Sequence, residues 1–324
     1  RMEDAEYVIL GQGSVICNAE AVVDYLRKER GLRIGVVDMV MYRPFPADLV
    51  SNILAGKKGV VVMERTDQPL AVELPMIREI RSAMAQAAEN GRAGNDHAEK
   101  LPYPGLVALL PDQIPDLYSA CFGLGSRDLQ PGDLVAAVDN MLDGGRKRRQ
   151  FYLGFEFIQK DTRLPKMQIW QEKILADYPD VANLALPSAG DLNLFPKESV
   201  ELRIHSVGGW GAITMGKNLA MTAAQLLGLH IKANPKYGSE KKGQPTTFYA
   251  MLSEEPLRLN CELKHVNVVC LLTRMYFCTP TRWRVCVKAA CLLSRVNSRA
   301  RNSGTVFQKL HNKPSVRRRS RFSL

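Results

Sequence analysis

Two apolar runs without polar alternation, Val8-Ile9-Leu10 and Val60-Val61-Val62-Met63, constrain the fold of this chain more than any other feature. A strand with one wet face alternates apolar and polar residues. A strand buried on both faces does not, and such strands belong to parallel sheets covered by helices on both sides. Each run starts a repeating unit. Residues 7–10 break at Gly11-Gln12-Gly13-Ser14, after which Ile16, Ala19, Val23 and Leu26 recur on one helical face. Residues 33–37 read as the next strand, 47–54 as a short helix and 59–63 as a third strand, so the order βαβαβ predicts a doubly wound sheet. The pattern continues with a helix over 70–87, a strand over 105–110 and a closing helix over 133–142 that ends at Asp143-Gly144-Gly145.

A second α/β unit follows a break. Gly144-Gly145-Arg146-Lys147-Arg148-Arg149 interrupts the pattern, and residues 150–197 carry Pro165, Pro179, Pro187 and Pro196 around one short helix at 169–175. Beyond it, 200–206 reads as a strand, Gly208-Gly209-Trp210-Gly211 as a turn and 212–227 as a helix, with further strands at 230–233, 246–252 and 265–269. The expected architecture is two Rossmann-like open-sheet α/β domains, at 1–143 and 200–270, joined by a Pro-rich connector at 144–199. A disordered basic tail is expected over 271–324.

Charge is concentrated in that tail. The chain has 44 Lys and Arg against 33 Asp and Glu, but residues 271–324 hold 13 of the basic residues and none of the acidic ones. Residues 1–270 therefore carry 31 basic and 33 acidic side chains, which removes the electrostatic case for a nucleic-acid partner of the folded part. A basic extension with Tyr276, Phe277 and Trp283 interleaved is the rival reading of the tail. No apolar run approaches the roughly 18 residues of a membrane span, and the chain reads as cytoplasmic. Seven cysteines with no C-x-x-C pair give neither a disulfide framework nor a metal signature, and Cys17 and Cys121 read as reduced core thiols.

The candidate site residues lie in turns. Consecutive glycines ahead of a helix present backbone N–H groups to a phosphate or carboxylate, which singles out Gly208, Gly209 and Gly211. Lys241 and Lys242, in a polar loop between strands, are candidates for the same ligand. Arg43, Glu64 and Arg127 sit just past strands or in loops, where an interdomain contact is expected. Gly11-x-Gly13 is a weaker signal: the third glycine of a dinucleotide fingerprint would fall at Ile16. No catalytic residue and no metal ligand stands out.

Four motifs in order carry a resemblance: V-I-L-G-Q-G-S from Val8, M-Y-R-P-F-P from Met41, V-V-V-M-E-R-T-D-Q-P-L-A-V from Val60 and G-L-G-S-R-D from Gly123. Together they resemble the transketolase-C-terminal-like domain of the pyruvate (2-oxoacid):ferredoxin/flavodoxin oxidoreductases. Residues 200–270 resemble an incomplete gamma-type catalytic domain of the same enzymes, through the glycine turn and the Y-G-x-E-x-x-G-x-P loop from Tyr237. The turn departs from that family's pattern at His205-Ser206-Val207 and Trp210.

The resemblance implies oxidative decarboxylation of pyruvate or a related 2-oxoacid to an acyl-CoA, with electrons passed to ferredoxin or flavodoxin. It implies thiamine diphosphate, iron–sulfur clusters and coenzyme A for the full enzyme, and a homodimer. The chain reads as an internal fragment whose partners are the remaining domains, inactive alone, because neither a thiamine motif nor a cluster-binding cysteine set is present. Alternatives are a fragment of a thiamine-dependent transketolase or a 2-oxoacid dehydrogenase beta chain, or a non-catalytic interaction module.

The tail has a simple explanation. The likeness stops at about Val269, where the family continues with a segment like D-P-N-V-F-x-H-x-N-P-L-A-G-L-x-x-G-G-V-F-V-I. Codons permitted by residues 272–295, begun at the third base, spell D-P-N-V-F-L-H-T-N-P-L-A-G-L-R-E-G-G-V-F-V-I-Q. A change of reading frame near 269–270 is therefore expected.

Overall fold

The computed structural model describes residues 2–94, 101–158, 161–236, 245–271 and 291–294. They divide into two units, the first over residues up to 194 together with 258–261, the second over 195–257 and from 262 onward. In the first unit β1 (Tyr7–Gly11), α1 (Val15–Arg30), β2 (Ile34–Asp38), α2 (Ala47–Leu54), β3 (Gly59–Glu64) and α3 (Pro75–Ala93) are followed by β4 (Asp116–Cys121), α4 (Pro131–Met141) and β5 (Gln150–Tyr152). The five strands form one parallel sheet in the order β2-β1-β3-β4-β5, with Tyr7 level with Ile34 on one side and Gly59 on the other.

The unalternating runs are explained by two cores on opposite faces of this sheet. Ile9 and Val61 pack with Val22, Val23 and Leu26 of α1 and Leu134 and Val138 of α4. Val8, Val60 and Val62 pack the other way, with Leu54 of α2 and Ile77 and Ile80 of α3. Each such side chain contributes about 1.5–3 kcal/mol by leaving water. The expected inward face of α1 is the observed one, but Cys17 lies off that stripe and is exposed, which corrects its reading as a core thiol. Gly31, left-handed at φ 61°, ends α1 by returning its N–H to the Leu26 carbonyl.

Three expectations shift. The helix expected from residue 70 begins at Pro75, because proline has no N–H to leave unpaired in the first turn. Residues 105–110 form no strand. They run beside α3, with the Leu109 amide donating to the Ala87 carbonyl at 2.9 Å. The fourth strand is instead Asp-Leu-Tyr-Ser-Ala-Cys at 116–121, whose mixed polarity hides it from an apolar-run search. Residues 150–152, expected in a connector, form β5, and α5 (Pro165–Asp177) and α6 (Asp180–Leu184) follow it in the same unit.

In the second unit β6 (Val200–Val207), α7 (Ala212–Leu227), β7 (His230–Lys236), β8 (Pro245–Ser253), β9 (Val268–Leu271) and β10 (Cys291–Ser294) form a mixed sheet ordered β10-β9-β6-β8-β7. β10, β9 and β6 are parallel, whereas β8 runs antiparallel to both β6 and β7. α7 packs on Leu202, Ile204, Phe248 and Ala250, and Tyr249, Met251, Leu263 and Val269 cluster on the opposite face. Both units are α/β with open sheets, as expected. Four residues of the tail, β10, form a strand; the remainder beyond Leu271 lies outside the described residues, so its expected disorder falls there too.

Candidate functional site

The carboxyl ends of the parallel strands in the first unit, Gly11, Asp38, Glu64, Cys121 and Tyr152, form the edge where open α/β sheets take ligands. Glu64 ends β3 in the interior, 7% exposed. Its carboxylate accepts hydrogen bonds from the Met76 and Ile77 amides at 2.7 and 3.2 Å, supplying the cap that Leu74 cannot give α3. Burial pushes the Glu64 carboxyl above its ordinary range, and the two amides oppose that shift. Arg43 lies over the Tyr42 ring at 4.2 Å and pairs with Glu79 of α3 at 2.8 Å. Arg127 stacks its guanidinium on the Phe157 ring, 3.5 Å from the centroid. These three residues, expected at an interdomain contact, thus occupy three separate places along one sheet edge.

A cavity of about 150 Å³ opens at the same edge, lined by Asp67, Gln68, Val72, Ser119, Cys121 and Tyr152 among others. The Tyr152 hydroxyl donates to Asp67 Oδ1 at 3.1 Å, and the Cys121 thiol donates to the Thr66 carbonyl at 2.9 Å. Burial, reinforced by the charge of Asp67, pushes both the Cys121 thiol and the Tyr152 phenol up to about 12. A thiol so placed stays protonated at neutral pH and is a poor nucleophile. Sequence reasoning misses this cavity because β5 is only three residues long and sits in a charged break with no periodicity.

In the second unit, the 208–211 turn joins β6 to α7. Gly209 and Gly211 take φ 93° and 75°, values that glycine adopts without strain, and Gly211 is the residue before the helix. Trp210 is 61% exposed, so it does not cap the sheet. α7 is held down by a close approach: a Cβ on Gly216 would lie 2.3 Å from the Phe248 ring. Gly208, Gly209 and Gly211 therefore form one glycine-lined turn, while Lys241 and Lys242 lie outside the described residues. Among the described residues Cys17, Cys121, Cys261 and Cys270 form no disulfide, and no group of three His, Cys, Asp or Glu could hold a metal. The described residues do not fit an iron–sulfur cluster. No described helix is long and apolar enough to cross a membrane.

Two family matches define the class. Residues 5–97 match the pyruvate:ferredoxin oxidoreductase core domain II, and residues 201–306 match the pyruvate ferredoxin/flavodoxin oxidoreductase domain. The chain carries domains of the pyruvate:ferredoxin/flavodoxin oxidoreductase family. Among individual relatives, a probable pyruvate-flavodoxin oxidoreductase of Escherichia coli is 27% identical over 78% of this chain, which spans 18% of that protein. The pyruvate synthase subunit PorA of Thermotoga maritima is 32% identical over 48% of this chain and 33% of its own length. The common subunit gamma of pyruvate/ketoisovalerate oxidoreductases of Pyrococcus abyssi is 34% identical over 22% of this chain and 39% of its own. The chain thus spans well under half of each of these relatives.

Proposed function

We propose that this chain is the structural middle of a 2-oxoacid oxidoreductase that converts pyruvate or a related 2-oxoacid, with coenzyme A, to acyl-CoA, CO2, a proton and two electrons. The electrons pass to ferredoxin or flavodoxin. The carrying observation is that both family matches occur in one chain, alongside a relative aligned over 78% of its residues. Thiamine diphosphate would supply carbanion stabilisation and iron–sulfur clusters would carry single electrons, both held by domains beyond this stretch. The chain's own part is to hold those domains in place. The 208–211 turn and the loop bearing Lys241 and Lys242 are the proposed contacts for a phosphate-bearing ligand, and Arg43 the proposed interdomain contact. The working enzyme would be a cytoplasmic homodimer.

The test is a graft. Residues 5–271 replace the matching segment of the E. coli relative, and pyruvate- and coenzyme-A-dependent reduction of a viologen dye is measured. Retained turnover in the graft, with none from the 324-residue chain alone, is expected. A folded graft with full cofactor content and no turnover would overturn the assignment.

The proposed domain limits are 1–143, 144–199 and 200–270, with a frame change near 269–270. Support for that change comes from the abrupt loss of acidic residues and from the alternative message. One observation favours an in-frame tail instead: the second family match runs on to residue 306. Sequencing the locus decides, since an intact frame across the junction excludes the change.

A further inference from the structure

Several arginines of the first unit hold a carboxylate of that unit: Arg27 pairs with Asp4, Arg30 with Asp139, Arg33 with Glu6, Arg43 with Glu79, Arg81 with Glu73 and Arg149 with Asp116. Of those without one, two stand beside a single turn at the carboxyl edge. Arg65, just past β3, and Arg127, past β4, have no carboxylate partner among the described residues, and both flank the 123–126 turn. The Arg65 side chain lies across Gly123 so closely that a Cβ there would stand 2.8 Å from its Nε and 2.9 Å from its Cγ. Arg127 is fastened at both ends: its amide donates to the Leu124 carbonyl at 3.2 Å, and its guanidinium stacks on Phe157, which stacks on Trp170 at 5.2 Å.

The carboxylates nearest in sequence are engaged elsewhere. Glu64 caps α3, Asp67 accepts from Tyr152, and Asp128 accepts from the Gln130 side-chain amide at 2.6 Å. Two exposed arginine side chains therefore stand beside one glycine-containing turn, and one of them is held in place and has lost part of its hydration to an aromatic face. Ordering a long cationic side chain such as that of Arg127 is unfavourable until an anion repays it, and forked N–H donors match phosphate oxygens. Two positive charges on one turn suit a dianion better than the single charge of an acidic side chain.

We propose that Arg65, Arg127 and the 123–126 turn bind the dianionic phosphate group of a small molecule. The site is separate from the glycine turn of the second unit and does not depend on the reaction assigned above. Free phosphate and a phosphate monoester share this chemistry, so both are tested. The full 324-residue chain is titrated calorimetrically with inorganic phosphate, with glucose 6-phosphate and with dimethyl phosphate, a singly charged diester.

Saturable binding of at least one of the first two is expected, much weaker binding of the diester, and a loss of about tenfold or more in affinity for each of Arg65→Ala and Arg127→Ala. Arg127→Lys should lose part of the affinity. Arg30→Ala, which removes a cation at the far end of α1, should lose none. Unchanged far-UV circular dichroism certifies the fold of each variant. Tighter binding of the monoester would identify an esterified ligand, and equal or tighter binding of phosphate a free anion. Absence of saturable binding, binding indifferent to both substitutions, or stronger Arg65- and Arg127-dependent binding of a Glu-rich peptide would each overturn the proposal.

Discussion

Glu64 shows how much one residue's chemistry depends on what the fold brings to it. In sequence it is a charged residue at a strand end, suited to an interface. In the structure it is a buried cap for a helix that starts eleven residues later, a partnership no spacing rule anticipates because the loop between them is irregular. The interior raises its pKa, so the folded protein holds the Glu64 proton more tightly than the unfolded chain does. Its stabilising contribution is then complete below the ordinary value of 4.5 and is lost as pH rises through the raised value. Urea unfolding of the chain and of Glu64→Gln, from pH 4 to 7, should show the wild type losing stability relative to the variant as pH increases. A relative gain would mean that the two amide bonds outweigh burial. At pH 7, Glu64→Ala should cost about 0.5–2 kcal/mol, the usual worth of a cap. Cys121 offers a matching check: with its thiol pushed up to about 12, alkylation in the native chain at pH 8 should lag far behind that of exposed Cys17.

Elements were legible in proportion to how strongly packing imposes a period. β1 and β3 declare themselves because two cores grip them from both sides, α1 because one core buries a single face of it, and α7 occupies the residues its periodicity predicts. β4 did not, since Asp116, Ser119 and Cys121 interrupt its apolar character, and β5 is too short to have a pattern. In the second unit β8 falls where a strand is expected at 246–252, but its antiparallel course is not legible, because strand direction leaves no mark in a run of buried residues. The contact of α7 with β8 rests on a single small residue. Gly216→Ala would drive a methyl into Phe248, and overpacking of this kind costs about 1–3 kcal/mol. The unfolding midpoint of the second unit should fall accordingly, and Phe248→Leu in the same chain should recover part of the loss. An unchanged midpoint for Gly216→Ala would show that the ring gives way freely.

At the scale of the whole molecule the two units have separate cores, so their stabilities can be moved independently. β10 is the sensitive element, because it covers the edge of β9, which in turn pairs with β6. It is built of Cys291-Leu292-Leu293-Ser294, and the alternative message places V-F-V-I on the same four positions. β-branched and aromatic residues suit a pleated, half-buried surface better than that sequence does. Deleting residues 272–324 would strip β9 of its neighbour and leave an open parallel edge, a template for association between copies. Calorimetry of the deleted chain should show the transition of the second unit moving down while that of the first stays in place, with light scattering rising on storage. Recoding 272–295 to the alternative message should move the same transition up, past that of the original chain. If the recoded chain is no more stable than the original, the tail as it stands already completes the sheet, and the frame-change proposal loses its physical basis.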